Sequence, residues 1–176
     1  AVLAAELASL AGGATRLAER ARELAAAGDL RVAGHLAELA AQAAPDDKGV
    51  HAVRAEVFGA RAREEADRVL GTDPSVPPTV AQVQRLGYIR QILDETLRLW
   101  PTAPAFTRQA RERTTVGGWG PFEPGQSIIA LTPMLHRLTD IWGADAEEFN
   151  PDHFEPQRRD ALPPNAYKPF GSGQRA

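Results

Sequence analysis

Apolar and polar positions follow two different patterns along the chain, and the change falls near residue 60. Before it, small and aliphatic residues recur every three or four positions, the period of helices that bury one face. "TRLAERARELAAAGDL" predicts a helix with Thr15 as N-cap, a stop at Gly28, and Leu17, Ala21 and Leu24 on one face. "LRVAGHLAELAAQAAPDD" predicts a second helix with Leu36, Leu39 and Ala43 inward. Asp46 or Asp47 caps a third, "KGVHAVRAEVFGARAREEADRVLG", with Val50, Val53 and Val57 in register. Connections this short fold neighbouring helices back on one another as a hairpin. One clear hairpin does not define a repeat array.

Beyond Gly71 the pattern changes. "TDPSVPPTVAQVQRL" reads as a proline-rich connection into a short helix. "LGYIRQILDETLRLW" predicts a strongly amphipathic helix: Leu86, Ile89, Leu93, Leu97 and Trp100 form its apolar stripe, and Pro101 ends it. In "FTRQARERTTVGGWGPFEPGQSIIALT" short apolar runs broken by Gly117, Gly118, Pro121 and Gly125 predict a small β element. Residues 133–167 read mainly as loop, with one turn of helix around "DAEEF". The expected fold class is mainly α with a small β element.

Composition narrows the chemistry. The 176 residues suit one mid-sized domain or two small ones. Alanine supplies much of the 43% hydrophobic content, which favours thin helices packed closely. A net charge of −3, without a basic stripe, argues against nucleic-acid binding. The absence of cysteine excludes disulfides, thiolate ligands and a cysteine nucleophile within these residues. No apolar run reaches the length of a membrane span, and the cytoplasm is the expected location. The four histidines lie far apart and show no metal spacing.

Glu95 and Arg98 sit at i, i+3 away from the apolar stripe. On helix statistics alone they are an exposed ion pair worth a few tenths of a kcal/mol. The order of motifs changes that reading. "ETLRLWPTAPAFTR" is followed by "PMLHRLTDIWGADAEEFNPDHFEPQR" and then "KPFGSGQRA". This series, over about residues 60–176, resembles the cytochrome P450 family, most of all the bacterial fatty-acid-hydroxylating type often fused to a reductase. The resemblance implies a partial P450 fold behind an alanine-rich helical hairpin. It makes Glu95 and Arg98 the glutamate and arginine of the ExxR helix, and "FNPDHF" the segment that meets them. His153 stands where the family usually has arginine, so the charge of that third member depends on pH.

"PFGSGQRA" matches the haem-binding loop up to the residue before its cysteine, so the axial cysteine is expected directly after Ala176. The resemblance implies that Gly171 and Gly173 flex this loop, that Phe170 packs beside the sulfur and porphyrin, and that Arg175 pairs with a haem propionate. Ala105 and Phe106 become candidates for the substrate pocket. His136 stays open between propionate partner, ligand and neither. The implied cofactor is haem b, the electron donor an NADPH-dependent reductase or a ferredoxin-type protein, the substrate a small apolar molecule. The chain alone is expected to be an inactive fragment. "AGHLAELAAQ" contains no threonine after Ala33-Gly34-His35, so no proton-relay residue carries over.

Residues 11–60 resemble instead the helical dimerisation region of alkyl-sulfatase-type metallo-β-lactamase-fold hydrolases, without that family's metal-ligand motif. This implies a helical segment at residues 1–60 capable of forming a homodimer through residues 15–66, joined near "GARAREEADRVLG" to a P450 part at 61–176. It supports an alternative, non-enzymatic interaction role.

Overall fold

A computed structural model of the chain describes residue 9 and residues 12–171. The chain divides into two compact units, Ala1–Ile92 and Leu93–Ala176.

In the first unit, helices α1 (Ala14–Ala26), α2 (Leu30–Ala43) and α3 (Lys48–Leu70) surround one core. At the end of α1, Gly28 adopts φ 88°, and the N–H groups of Gly28 and Asp29 bond back to the carbonyls of Ala25 and Leu24. This is the Schellman geometry that a residue with a Cβ enters at a cost. Asp29 then caps α2 by accepting from the Val32 N–H at 3.3 Å. Asp47 caps α3, accepting from Gly49 and Val50 at 2.8 and 3.2 Å.

Two sequence expectations change here. Thr15 is not the N-cap of α1: Gly13, at φ 108°, precedes a helix already begun at Ala14, a strong helix former. In α2 the innermost positions are Ala33, Gly34, Ala37, Ala40 and Ala41, while Leu36, Leu39 and Ala43 flank the core half-buried. Small side chains let helix backbones approach closely, and the longer leucines are displaced to the sides. Val50, Val53 and Val57 of α3 do point into this core.

α3 runs unbroken past residue 60, where composition changes. Its later part holds the next segment in place. Thr79 and Gln82 form a capping box on the short α4 (Val80–Val83), and the Gln82 side chain donates to the Val69 carbonyl. Glu65, nearly buried, caps α5 (Gly87–Leu99) from outside. Its two carboxylate oxygens accept from the Tyr88 and Ile89 N–H groups at 3.0 and 2.9 Å, satisfying first-turn donors that have no partner within the helix.

In the second unit, strand β1 (Ala105–Gln109) pairs antiparallel with β4 (Ser127–Leu131), from Ala105↔Leu131 to Gln109↔Ser127. Between them, β2 (Thr114–Val116) and β3 (Trp119–Phe122) form a second ladder across Gly117 and Gly118, both at positive φ, as a tight hairpin turn requires. Pro121 lies inside β3 and does not break it; in a two-stranded ladder one strand side lacks a partner and tolerates a missing N–H. Helices α6 (Thr132–Leu135) and α7 (Thr139–Trp142), a 3-10 turn at Pro151–Phe154 and α8 (Pro156–Asp160) follow. "DAEEF" forms turns rather than helix, because its carbonyls at Ala146 and Glu148 are drawn to a side chain of α5. Trp142, Ala146 and Phe154 make the core here, with Tyr167 packed against them.

Candidate functional site

The buried end of α5 carries charge. Leu93 and Trp100, on the apolar stripe, are 58% and 62% exposed, whereas Glu95 and Arg98 are completely buried. The exposed ion pair expected from helix statistics is therefore not what forms. Burial of charge on this scale is tolerated only when each donor and acceptor finds a partner.

Every N–H of the Arg98 guanidinium does. Nε and Nη2 donate to the two oxygens of Glu95 at 2.6 and 2.8 Å. Nη1 donates to the carbonyls of His136 (2.7 Å) and Ala146 (2.6 Å), and Nη2 also to that of Glu148 (2.8 Å). The guanidinium lies 5.0 Å from the centre of the Trp142 ring. Arg98 thus gathers backbone from residues 136–148 to the helix.

Glu95 collects the next stretch. Its Oε1 also accepts the Asn150 N–H at 2.7 Å and lies 3.1 Å from His153 Nδ1. The other ring nitrogen, Nε2, is 3.2 Å from Asp145 Oδ2. Asp145 in turn accepts from the Asn150 side chain at 3.0 Å. Burial alone would raise the Glu95 carboxyl, but hydrogen bonds and charge from Arg98 and His153 outweigh it and hold the pKa below the usual glutamate value. Burial would likewise lower His153, yet its bonds to Asp145 and Glu95 and their charges carry it above the ordinary histidine value. Asp145 is held low, burial being outweighed by His153 and Asn150. With a carboxylate beside each nitrogen, His153 fits as imidazolium.

The arrangement unites Glu95, Arg98 and His153, the three residues singled out as a network. Asp145 was missed. It lies five residues before Asn150 in a turn, and no local pattern marks it as the second anion beside His153.

His136 is fully buried: its Nδ1 is 2.9 Å from the Arg98 carbonyl and its Nε2 2.8 Å from the Lys168 N–H. Both nitrogens are engaged by the chain itself, which leaves neither for a metal or a propionate. Tyr167 Oη lies 3.0 Å from the Asp94 carbonyl and 3.1 Å from its carboxylate, and Arg159 pairs with Asp94 at 2.9 Å. Burial and the Asp94 charge push the Tyr167 hydroxyl far up, so it stays protonated and donates.

Past this anchor, Gly171 adopts φ 80° and Phe170 is 58% exposed, so the ring makes no core contact. Gly173 and Arg175 lie outside the described residues. Ala105 and Phe106 open β1; Ala105 is exposed and Phe106 half-buried. Neither lines the open apolar cleft of about 530 Å³ formed by Leu99, Trp100, Pro101, Pro104, Pro133, Met134 and Arg137.

The family model for cytochrome P450 matches residues 57–176. The chain belongs to the cytochrome P450 family. Among curated P450 relatives, residues of this chain are 53% identical over 116 positions to a bifunctional cytochrome P450/NADPH–P450 reductase 2 of Bacillus subtilis (strain 168), covering 66% of this chain and 10% of that protein. Identity is 56% over 116 positions to the corresponding reductase 1 of the same organism, again 66% of this chain and 10% of the relative. A self-sufficient cytochrome P450 monooxygenase of Penicillium freii is 42% identical over 115 positions, 65% of this chain and 11% of its own length. The chain spans about a tenth of the length of these P450 relatives. A second family model, alkyl sulfatase dimerisation, matches residues 1–69, so the two matches overlap within α3.

Haem is the cofactor the P450 family implies. The residues here fit part of its requirement: a backbone opened by Gly171 at positive φ, rooted in a buried charge network. They do not include the thiolate ligand, since the sequence has no cysteine. Among those residues no helix is long and apolar enough to cross a membrane.

Proposed function

We propose that this chain is part of a haem-thiolate monooxygenase and supplies the scaffold that fixes the haem-binding loop. The observation that carries this reading is the buried Glu95–Arg98 pair, which collects backbone from residues 136, 146, 148 and 150. In an intact enzyme the haem supplies reductive activation of dioxygen. Glu95, Arg98 and His153 act at a distance from it as positioning residues, and Phe170, Gly171, Gly173 and Arg175 line the loop. The apolar cleft beside Trp100 and Met134 suits an aliphatic substrate, and a fatty acid is the reading we adopt. Relatives named as fusions to an NADPH–P450 reductase support a reductase of that kind as the electron donor.

Residues 1–60 belong, in this reading, to a separate helical segment and residues 61–176 to the P450 part. The alkyl sulfatase dimerisation match favours a second role for the helical segment, self-association through residues 15–66. Light scattering on the full chain tests it: a dimer is expected, and a strict monomer at high concentration removes the role.

The main proposal is tested by replacing the matching segment of the Bacillus subtilis bifunctional enzyme with residues 57–176 of this chain. The chimera is expected to bind haem and give a thiolate-type reduced-CO spectrum, while the 176-residue chain alone gives none. A soluble, folded chimera without haem, or a thiolate-type spectrum from the cysteine-free chain, overturns it.

A further inference from the structure

His136 lies between the charged helix and Lys168, the residue that leads into the haem-binding loop. Its main-chain carbonyl receives Arg98 Nη1 at 2.7 Å, while its ring Nδ1 faces the Arg98 carbonyl at 2.9 Å. A carbonyl oxygen can only accept, so Nδ1 carries the proton. Across the ring, Nε2 lies 2.8 Å from the Lys168 N–H, which can only donate, so Nε2 is the bare nitrogen. The two partners together select a single neutral tautomer. The adjacent Tyr167 ring, its centre 5.4 Å from the imidazole, keeps the same stretch close.

We propose that His136 is a positioning residue: as the neutral Nδ1–H tautomer it ties Lys168, the residue just before the haem-binding loop, to the C-terminal end of the Glu95–Arg98 helix. The proposal rests on reading residues 169–176 as that loop; the tie itself does not. Protonating Nε2 sets two N–H donors against each other at hydrogen-bond distance, so the tie opens in acid. The charged groups facing the ring are Arg98 on α5 and Arg137 beside it in sequence, both cationic. Burial lowers the pKa of His136 first, the Arg98 carbonyl opposes that, and the two arginines add to the lowering. His153 responds in the opposite direction, since its two carboxylates favour its proton. The loop is therefore held at both ends of its support only within a pH window that includes the ordinary histidine pKa of about 6.5. Acid releases Lys168, and alkali loosens the Glu95 side.

The test is NMR on the full 176-residue chain labelled with ¹⁵N. A scalar coupling across the hydrogen bond between Lys168 N and His136 Nε2 is expected at neutral pH, with the ¹⁵N shifts of an Nδ1–H tautomer. On acidification it should vanish and the protection factor of the Lys168 amide, taken against its intrinsic exchange rate at each pH, should fall roughly tenfold, the equivalent of one lost hydrogen bond, while Asn150, bonded to Glu95, stays protected. In H136Q, whose side-chain oxygen can accept in place of Nε2, Lys168 protection should be kept in part and lose its acid dependence. Absence of the coupling in the wild type where His136 is neutral, an Nε2–H tautomer, or equal acid release of Lys168 and Asn150 overturns the proposal. A coupling that is present while the chimera described above fails to bind haem leaves the tie intact and removes only the haem reading.

Discussion

Replacing Glu95 by glutamine changes almost nothing in shape and removes one charge from a completely buried point of the second unit. Both Glu95 and Arg98 are completely buried, so solvent does not screen the loss. Four donors converge on the carboxylate: Nε and Nη2 of Arg98, the Asn150 N–H and His153 Nδ1. The glutamine N–H₂ must face at least one of them, donor against donor. Breaking a buried pair by removing one partner costs ~3–5 kcal/mol, and the three backbone carbonyls that still hold Arg98 place E95Q toward the lower end, about 3 kcal/mol. With a urea dependence of ~1 kcal/mol/M for a unit this small, the midpoint falls by about 3 M, or the unit unfolds without denaturant. All three tryptophans, Trp100, Trp119 and Trp142, lie in the second unit, so their fluorescence follows its unfolding selectively. Glu123→Gln is the control. Its partner Arg113 is mostly exposed at 3.3 Å, and the same chemical change there should cost within ~0.5 kcal/mol of nothing. If E95Q shifts the tryptophan transition no more than E123Q does, the carboxylate is not supporting the fold in the way described.

Two further outcomes follow from the same contacts. His153 has its pKa raised in the folded chain, so the stability it contributes is complete below the unfolded histidine pKa and is lost as pH rises through the folded value; His153→Arg, which cannot deprotonate in that range, should abolish the alkaline loss in urea titrations at pH 6 to 9, and an unchanged pH profile would count against an ionised His153. Glu65→Ala removes the acceptor of two first-turn N–H groups of α5 and should destabilise the first unit by about 1–2 kcal/mol, read as a lower thermal midpoint of helical ellipticity; no change would mean that water caps the helix equally well.

The local punctuation of the chain was legible. Gly28 and Asp47 act where turn and cap chemistry put them, and the helix bearing Glu95 ends at Leu99, just short of Pro101. Hydrophobic periodicity read the rest less well, for a physical reason. It assigns the interior to large apolar side chains, and in α2 the interior went to alanine and glycine because backbone approach excluded the leucines. In α5 it went to Glu95 and Arg98, because the carbonyls of His136, Ala146 and Glu148, far along the chain, met the Arg98 donors that Glu95 leaves free, and Asn150 and His153 met Glu95. Motif order pointed to those two residues and to His153, although spacing along one helix could not. Asp145 and the two-sided role of His136 depend on partners between 8 and 38 positions away, where no short-range pattern reaches.

The unbroken α3 helix, shared by both family matches, makes the meeting of the two halves a question of phase. Val50, Val53 and Val57 fix its rotation at one end, and Glu65, reaching Tyr88 and Ile89, fixes it at the other. Each residue advances the helix by about 100°, so one codon added or lost between Phe58 and Glu65 would swing the carboxylate a quarter-turn or more off target while every hydrogen bond along the helix backbone re-formed. Two unlike parents can be spliced within such a rod without a linker, but only at junctions that preserve the angular count.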